Sequence, residues 1–170
     1  MVDQIIVGNL TWFHIVSVIG WTGAALTFFV SIGPSLAKLS PQANGEFALK
    51  VFPRFVRSVQ IFTVLTLLFG PLLAWQMNDG PPNAFDLKSP WSIAITIGAS
   101  IGIASFFVVF GFLTPLAKKL GRLILQMQHN PQQSLSAELQ RVQKRLAIGA
   151  PLGVVLLLSA EVLMVTAAQF

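Results

Sequence analysis

Two ionisable side chains lie inside long apolar runs of this sequence and are its best candidates for chemistry. Glu161 lies in the run 150–168, and His14 lies in the run 10–32. A carboxylate within a membrane-spanning helix costs about 3 kcal/mol on insertion scales, so ionisable residues at such positions are rare and are usually functional. The first question is therefore whether His14 and Glu161 belong to one site.

Helical spacing gives each of these residues companions on its own face. His14 and Trp21 lie two turns apart on one helix, and Glu161 lies one turn before Met164 on another. A rise of ~1.5 Å per residue puts His14 roughly 6 Å and Glu161 roughly 10 Å from the same side of the membrane. The two side chains are thus expected at compatible depths, with Met77 and Met164 at similar or shallower depth.

Three uses of these residues are open. His14 and Glu161 could hydrogen-bond each other, so that neither is buried unpaired. His14, Met77 and Met164 could bind a soft metal such as Cu(I) with Glu161 beside them, or His14 and a methionine could hold haem iron. His14 and Glu161 could also relay protons. The candidate cofactor-binding residues are His14, Trp21 and Glu161, the candidate metal ligands are His14, Met77 and Met164, and no catalytic residue is assigned.

Four apolar helices must position these residues. The chain has 170 residues, of which 54% are hydrophobic and 10% charged, whereas soluble domains have about 25% charged residues. Four segments have the ~20 mostly apolar residues that a bilayer crossing requires; they are residues 10–32, 56–75, 92–116 and 146–168. The sequence therefore predicts an all-α, polytopic membrane four-helix bundle, in which residues 1–170 form a single transmembrane domain.

The basic residues predict the orientation of the helices. Ten of the 11 Lys and Arg residues follow the first or the third predicted helix, and only Lys88 lies elsewhere. The positive-inside rule makes those two connections cytoplasmic, so a multi-pass protein of the cell (inner) membrane with both termini outside is expected. The net charge of +5 then reflects topology and attraction to lipid headgroups, and nucleic acid is not expected as a partner.

The two halves of the chain share a local pattern. Phe28-Phe29-Val30 precedes Gly33-Pro34, and Phe106-Phe107-Val108 precedes Thr114-Pro115. Leu-Ala-Lys follows Pro34 after one intervening residue, at residues 36–38, and follows Pro115 directly, at residues 116–118. Repeats with the same topology are typical of duplicated membrane segments. The pattern predicts two duplicated helical hairpins.

The first two helices also resemble a known family. His14 is followed by Trp21 and Gly23 near the start of the first spanning helix, and Phe52-Pro53-Arg54 and Leu73-Ala74-Trp75 follow. Over residues 10–76 this resembles the copper resistance protein D superfamily. The first helix is also similar to that of the haem-containing protoporphyrinogen oxidase family of bacterial membranes. The resemblance implies a four-helix membrane fold with His14 as a ligand of haem b or copper.

Two features limit what the resemblance implies. The oxidase family relies on a basic residue within its third helix, and residues 93–112 contain none. The copper families often carry additional His or Met residues on the outer side, where this chain offers only Met77 and Met164. A nucleophile constellation and a nucleotide-binding loop are also missing from the sequence, so an enzyme acting alone is the weakest interpretation.

Two functions remain as expectations. The first is a small integral membrane protein with an outer-leaflet His14/Glu161 site that binds haem or copper for redox or metal handling. The alternative is a non-catalytic accessory or structural subunit of a larger membrane complex, with no bound cofactor. The lipid bilayer is the expected partner in both, together with a homodimer or a larger membrane complex.

The charge pattern yields a test of orientation. Single cysteines introduced at Asp79 and at Asn130 should react oppositely with a membrane-impermeant thiol reagent applied to intact cells. The reagent should label position 79 and leave position 130 unlabelled, because the basic connections face the cytoplasm. The chain has no native cysteine, so labelling of position 130 from outside would directly contradict the orientation.

Overall fold

Four long helices make up the part of the chain that the computed structural model describes, which is residues 2–36, 38–78, 85–129 and 136–169. Each contains a segment long and apolar enough to cross a membrane, and the described ranges contain no strand. The predicted all-helical fold is thus confirmed for the described residues, and its four long helices have the length and composition of membrane spans. Helix α1 consists of Val2–Thr27, a π-helical turn at Phe28–Ile32, and Gly33–Leu36. Helix α2 consists of Pro41–Glu46, a π-helical turn at Phe47–Val51, and Phe52–Met77. Helix α3 consists of Pro90–Phe107, a π-helical turn at Val108–Leu113, and Thr114–His129, and helix α4 is Ser136–Ala167.

The helices are longer than the predicted apolar segments. Helix α1 begins at Val2, eight residues before position 10, and continues through Gly8. Helix α3 begins after Ser89, whose hydroxyl accepts the Ser92 backbone N–H while the Ser92 hydroxyl accepts the Ser89 N–H. This reciprocal capping satisfies two backbone donors that the first helical turn leaves free.

Three of the helices contain a π-helical turn immediately before a proline. Phe28–Ile32 precedes Pro34, Phe47–Val51 precedes Pro53, and Val108–Leu113 precedes Pro115. A proline inside a helix lacks an N–H donor, and its ring clashes with the carbonyl four residues earlier. Widening the preceding turn re-pairs the backbone over five residues, as in the bond from the Gly33 N–H to the Phe28 carbonyl. The apolar runs can therefore continue as helices through these prolines.

One core brings all four helices together. Helix α1 packs mainly against α2, and α3 packs mainly against α4. At the centre, Trp21 of α1 contacts a cluster that contains Val59 of α2, Val109 of α3 and Leu157 of α4. Trp21 is only 2% exposed. The indole thus lies where the four helices meet.

A second cluster joins the C-terminal part of α3, which follows the apolar run of that helix, to the N-terminal part of α4, which precedes the apolar run there. Leu116 and Leu123 of α3 pack against Val142 of α4, with Leu120, Leu139 and Leu146 around them. The sequence predicts the Leu116, Leu120 and Leu123 stripe from its spacing of three and four residues, and the packing confirms it. Residues 79–84 and 130–135, which lie within the predicted second and third connections, are outside the described residues.

The core position of Trp21 can be tested against a matched tryptophan on the same helix. Trp21→Ala should lower the free energy of unfolding by about 3 kcal/mol, because it removes a large buried side chain and leaves a cavity. Trp12 is 71% exposed, so Trp12→Ala should change this free energy by less than about 1 kcal/mol. Unfolding in mixed detergent–SDS micelles, followed by circular dichroism, measures both values. Equal losses for the two variants would show that Trp21 does not hold the core.

Candidate functional site

His14 lies against α2 rather than in an open vestibule. Its imidazole is within hydrogen-bonding reach of the backbone carbonyl of Thr66, and its ring packs on Gly70. A methyl group at position 70 would lie 2.9 Å from the His14 Cε1 atom and 3.3 Å from Nδ1. Gly70 therefore makes room for the imidazole. On the adjacent face, the Phe13 and Phe69 rings stack with their centroids 5.0 Å apart.

One atom of His14 has no partner. The Nδ1 nitrogen is buried and forms no hydrogen bond with any described residue. A buried polar atom without a partner destabilises the fold unless something else satisfies it. This nitrogen is the one feature of the site that a bound group would explain.

Glu161 is held by α1, but its partner is Thr22. The Thr22 Oγ1 hydroxyl donates a hydrogen bond to Glu161 Oε1. The predicted hydrogen bond between His14 and Glu161 is therefore wrong. Thr22 is eight residues beyond His14, which is ~12 Å along the helix and roughly 80° around it. The two ionisable residues are thus on different sides of α1. His14 points from α1 toward α2, whereas Glu161 of α4 contacts the side of α1 that faces α4.

The other predicted site residues are dispersed. Trp21 is part of the core described above. Met164 points toward α3, where its Cγ atom would lie 3.2 Å from a methyl group at Gly98. Met77 is 55% exposed and lies seven residues, or ~10 Å, beyond Gly70. None of the described contacts brings His14, Met77 and Met164 together, and the described residues contain no group of three His, Asp or Glu that could hold a metal ion.

Two further polar contacts join the remaining pairs of neighbouring helices. Gln60 of α2 donates from Nε2 to the Thr114 hydroxyl of α3 at 3.0 Å. Ser105 of α3 donates to the Gly153 carbonyl of α4 at 3.3 Å. Each neighbouring pair of helices is thus linked by at least one polar contact between described residues. We call these four contacts the polar circuit: His14 to Thr66, Gln60 to Thr114, Ser105 to Gly153, and Thr22 to Glu161.

Some members of the polar circuit are visible in the sequence and others are not. Gln60 follows Arg57 near the start of the second predicted helix, where the sequence favours a bond to a neighbouring helix over substrate binding, and its hydrogen bond to Thr114 of α3 agrees with this. Thr22 and Ser105 are not predicted, because Ser and Thr in a helix usually bond the carbonyl four residues earlier. Thr63 and Thr66 do so here. Nothing in the residue type distinguishes these two behaviours, so only the packing of the helices reveals them.

Comparison of the chain with protein-family models, with curated proteins and with solved structures finds no match. The resemblance to the copper resistance protein D superfamily therefore stays a prediction. Function must be argued from the polar circuit and from the surface of the helices.

The contact between His14 and Gly70 can be tested with a double-mutant cycle. Gly70→Ala should destabilise the protein by about 1–3 kcal/mol, because the new methyl group displaces the imidazole from a packed position. In a His14→Ala background the same change should cost much less, since the clash is gone.

Gly23→Ala is the matched control in α1, because a methyl group at Gly23 meets nothing within 4 Å. It should be neutral or slightly stabilising. Chemical unfolding in mixed micelles measures the free energy of unfolding of each of these variants. A cost for Gly70→Ala that does not depend on His14 would show that the imidazole lies elsewhere.

Proposed function

We propose that this chain is a non-catalytic accessory or structural subunit of a larger membrane complex. The polar circuit is the observation that carries the proposal. Both ionisable residues of the apolar runs, His14 and Glu161, take part in contacts between helices of the same chain. Their presence in the membrane therefore has a sufficient cause without catalysis or transport.

Energetics support this use of polar side chains. Lipid tails are as apolar as leucine, so helices in a bilayer gain little from burying apolar surface against one another. Their association depends on close packing and on interhelical hydrogen bonds, which contribute about 0.6 kcal/mol each on average and up to about 1.7 kcal/mol. Small residues supply the close packing here: Gly98 lies against Ala160 and Leu163 of α4. Four polar contacts and such packing are a reasonable basis for a stable scaffold.

The unpartnered Nδ1 of His14 favours a second candidate function. A protein that holds haem b or copper at His14 for redox or metal handling would use this nitrogen or its neighbour as a ligand. Among the described residues, no second ligand is in contact with the imidazole of His14. That supply fits a single axial ligand of haem iron better than the three or four ligands of a closed metal site.

Orientation and duplication belong to the proposal as well. The basic residues support a protein of the cell membrane with both termini outside. The corresponding π-helical turns in α1, at Phe28–Ile32, and in α3, at Val108–Leu113, support two duplicated helical hairpins. Each turn precedes a proline, and Leu-Ala-Lys follows Pro115 directly and Pro34 after Ser35.

Absorption spectroscopy and metal analysis of the purified protein distinguish the two candidates. The subunit proposal predicts no Soret band, less than stoichiometric copper, and migration within a larger assembly on native gels of membranes solubilised in mild detergent. His14→Ala should then lower thermal stability alone. A Soret band or bound copper that His14→Ala abolishes and His129→Ala retains would establish the cofactor function instead.

A further inference from the structure

A groove of about 360 Å³ separates α3 from α4 at the end of the molecule where basic residues cluster. Leu116 and Val142 form part of its lining, and both are buried in the second cluster. Lys119, Arg141 and Arg145 line the same groove. The groove thus combines an apolar floor with three cations, a combination that neither candidate function uses.

The charges of the groove are only partly compensated. Glu138 is the one acidic residue in its lining, and it pairs with Lys119 at 2.6 Å. Arg141 also interacts electrostatically with Glu138. Arg145 has no ion pair within the described ranges of the chain. Three cations facing one carboxylate leave an excess of two positive charges, which suits an anionic ligand.

The groove lies at the boundary between the bilayer and water. Leu116 ends the apolar run of α3, and Leu146 begins that of α4. On α4 below Arg145, an exposed apolar stripe runs through Ile148, Leu152 and Val155, spaced three and four residues apart on one face. The stripe leads to a shallow, largely apolar groove on the same helix, lined by Val155, Leu158, Ser159, Val162 and Leu163.

We propose that this groove binds an anionic glycerophospholipid. The phosphate lies among Lys119, Arg141 and Arg145, and an acyl chain follows the stripe of α4. Arginine suits this role, because its planar guanidinium donates two parallel hydrogen bonds to a phosphate. From Arg145 to Val155 the stripe is ~15 Å long. That continuous apolar track favours a lipid over a soluble phosphate compound, which needs only the cations.

Native mass spectrometry of the full chain, titrated with phosphatidylglycerol and separately with phosphatidylcholine, measures the binding. Phosphatidylglycerol should bind preferentially. Arg141→Gln with Arg145→Gln should weaken its binding about tenfold or more, because two charges near the phosphate are lost. Lys118→Gln with Lys144→Gln removes the same charge from exposed positions outside the groove and should weaken it only a few-fold.

Glu138→Gln provides a gain-of-function test, which damage to the fold would not mimic. Removing this carboxylate frees Lys119 and should tighten the binding of phosphatidylglycerol severalfold. Unchanged thermal unfolding of the variants checks their folding. An equal loss of phosphatidylglycerol affinity in the two charge-matched double variants would overturn the proposal, because the lipid would then respond to the overall positive charge of the surface and not to the groove. Displacement of the lipid by millimolar inorganic phosphate would overturn it in favour of a soluble anion.

Discussion

Hydrocarbon offers no hydrogen-bond partner, so polar groups on the four helices of this protein must find their partners within the chain. The polar circuit is the outcome of that constraint. Glu161 is the costliest member, and the Thr22 hydroxyl lies where it can satisfy one of the carboxyl oxygens. Gln60 and Ser105 make equivalent links at the other helix pairs. Glu161 and the His14 imidazole both take part in such links, while the buried Nδ1 of His14 forms no hydrogen bond with any described residue.

The same constraint applies to the backbone. Several prolines occur within the long helices, and each removes a donor that the bilayer cannot replace. At Pro34, Pro53 and Pro115 the preceding π-helical turn re-pairs the backbone over five residues. The helices therefore remain continuous while their side chains rotate relative to a regular α-helix. That rotation alters which residues face the core, so simple helical periodicity is a poor guide near these prolines.

The sequence was sufficient for the fold class and for several individual contacts. Length and hydropathy predict the four helices, because the bilayer demands long apolar segments. His14 and Trp21, which the sequence places on one face of the first helix, both pack against other helices, and Gln60 bonds a neighbouring helix as expected. The pairing of His14 with Glu161 was wrong because Glu161 bonds Thr22, which lies ~12 Å further along α1 than His14 and on another side of that helix. The relative depth and rotation of the helices depend on how α1 packs between α2 and α4, which no local pattern encodes.

The free energy of unfolding of one variant that lacks the whole polar circuit tests this account most directly. His14→Leu, Thr22→Val, Gln60→Leu and Ser105→Ala combined should lower it by about 2 kcal/mol or more. The matched control changes one hydroxyl per helix that bonds only its own helix: Ser35→Ala, Ser58→Ala, Ser100→Ala and Thr166→Val. The free energy of unfolding of the control variant should fall by a clearly smaller amount. Equal stability of the two variants in mixed micelles would contradict the claim that the polar circuit holds the four helices together.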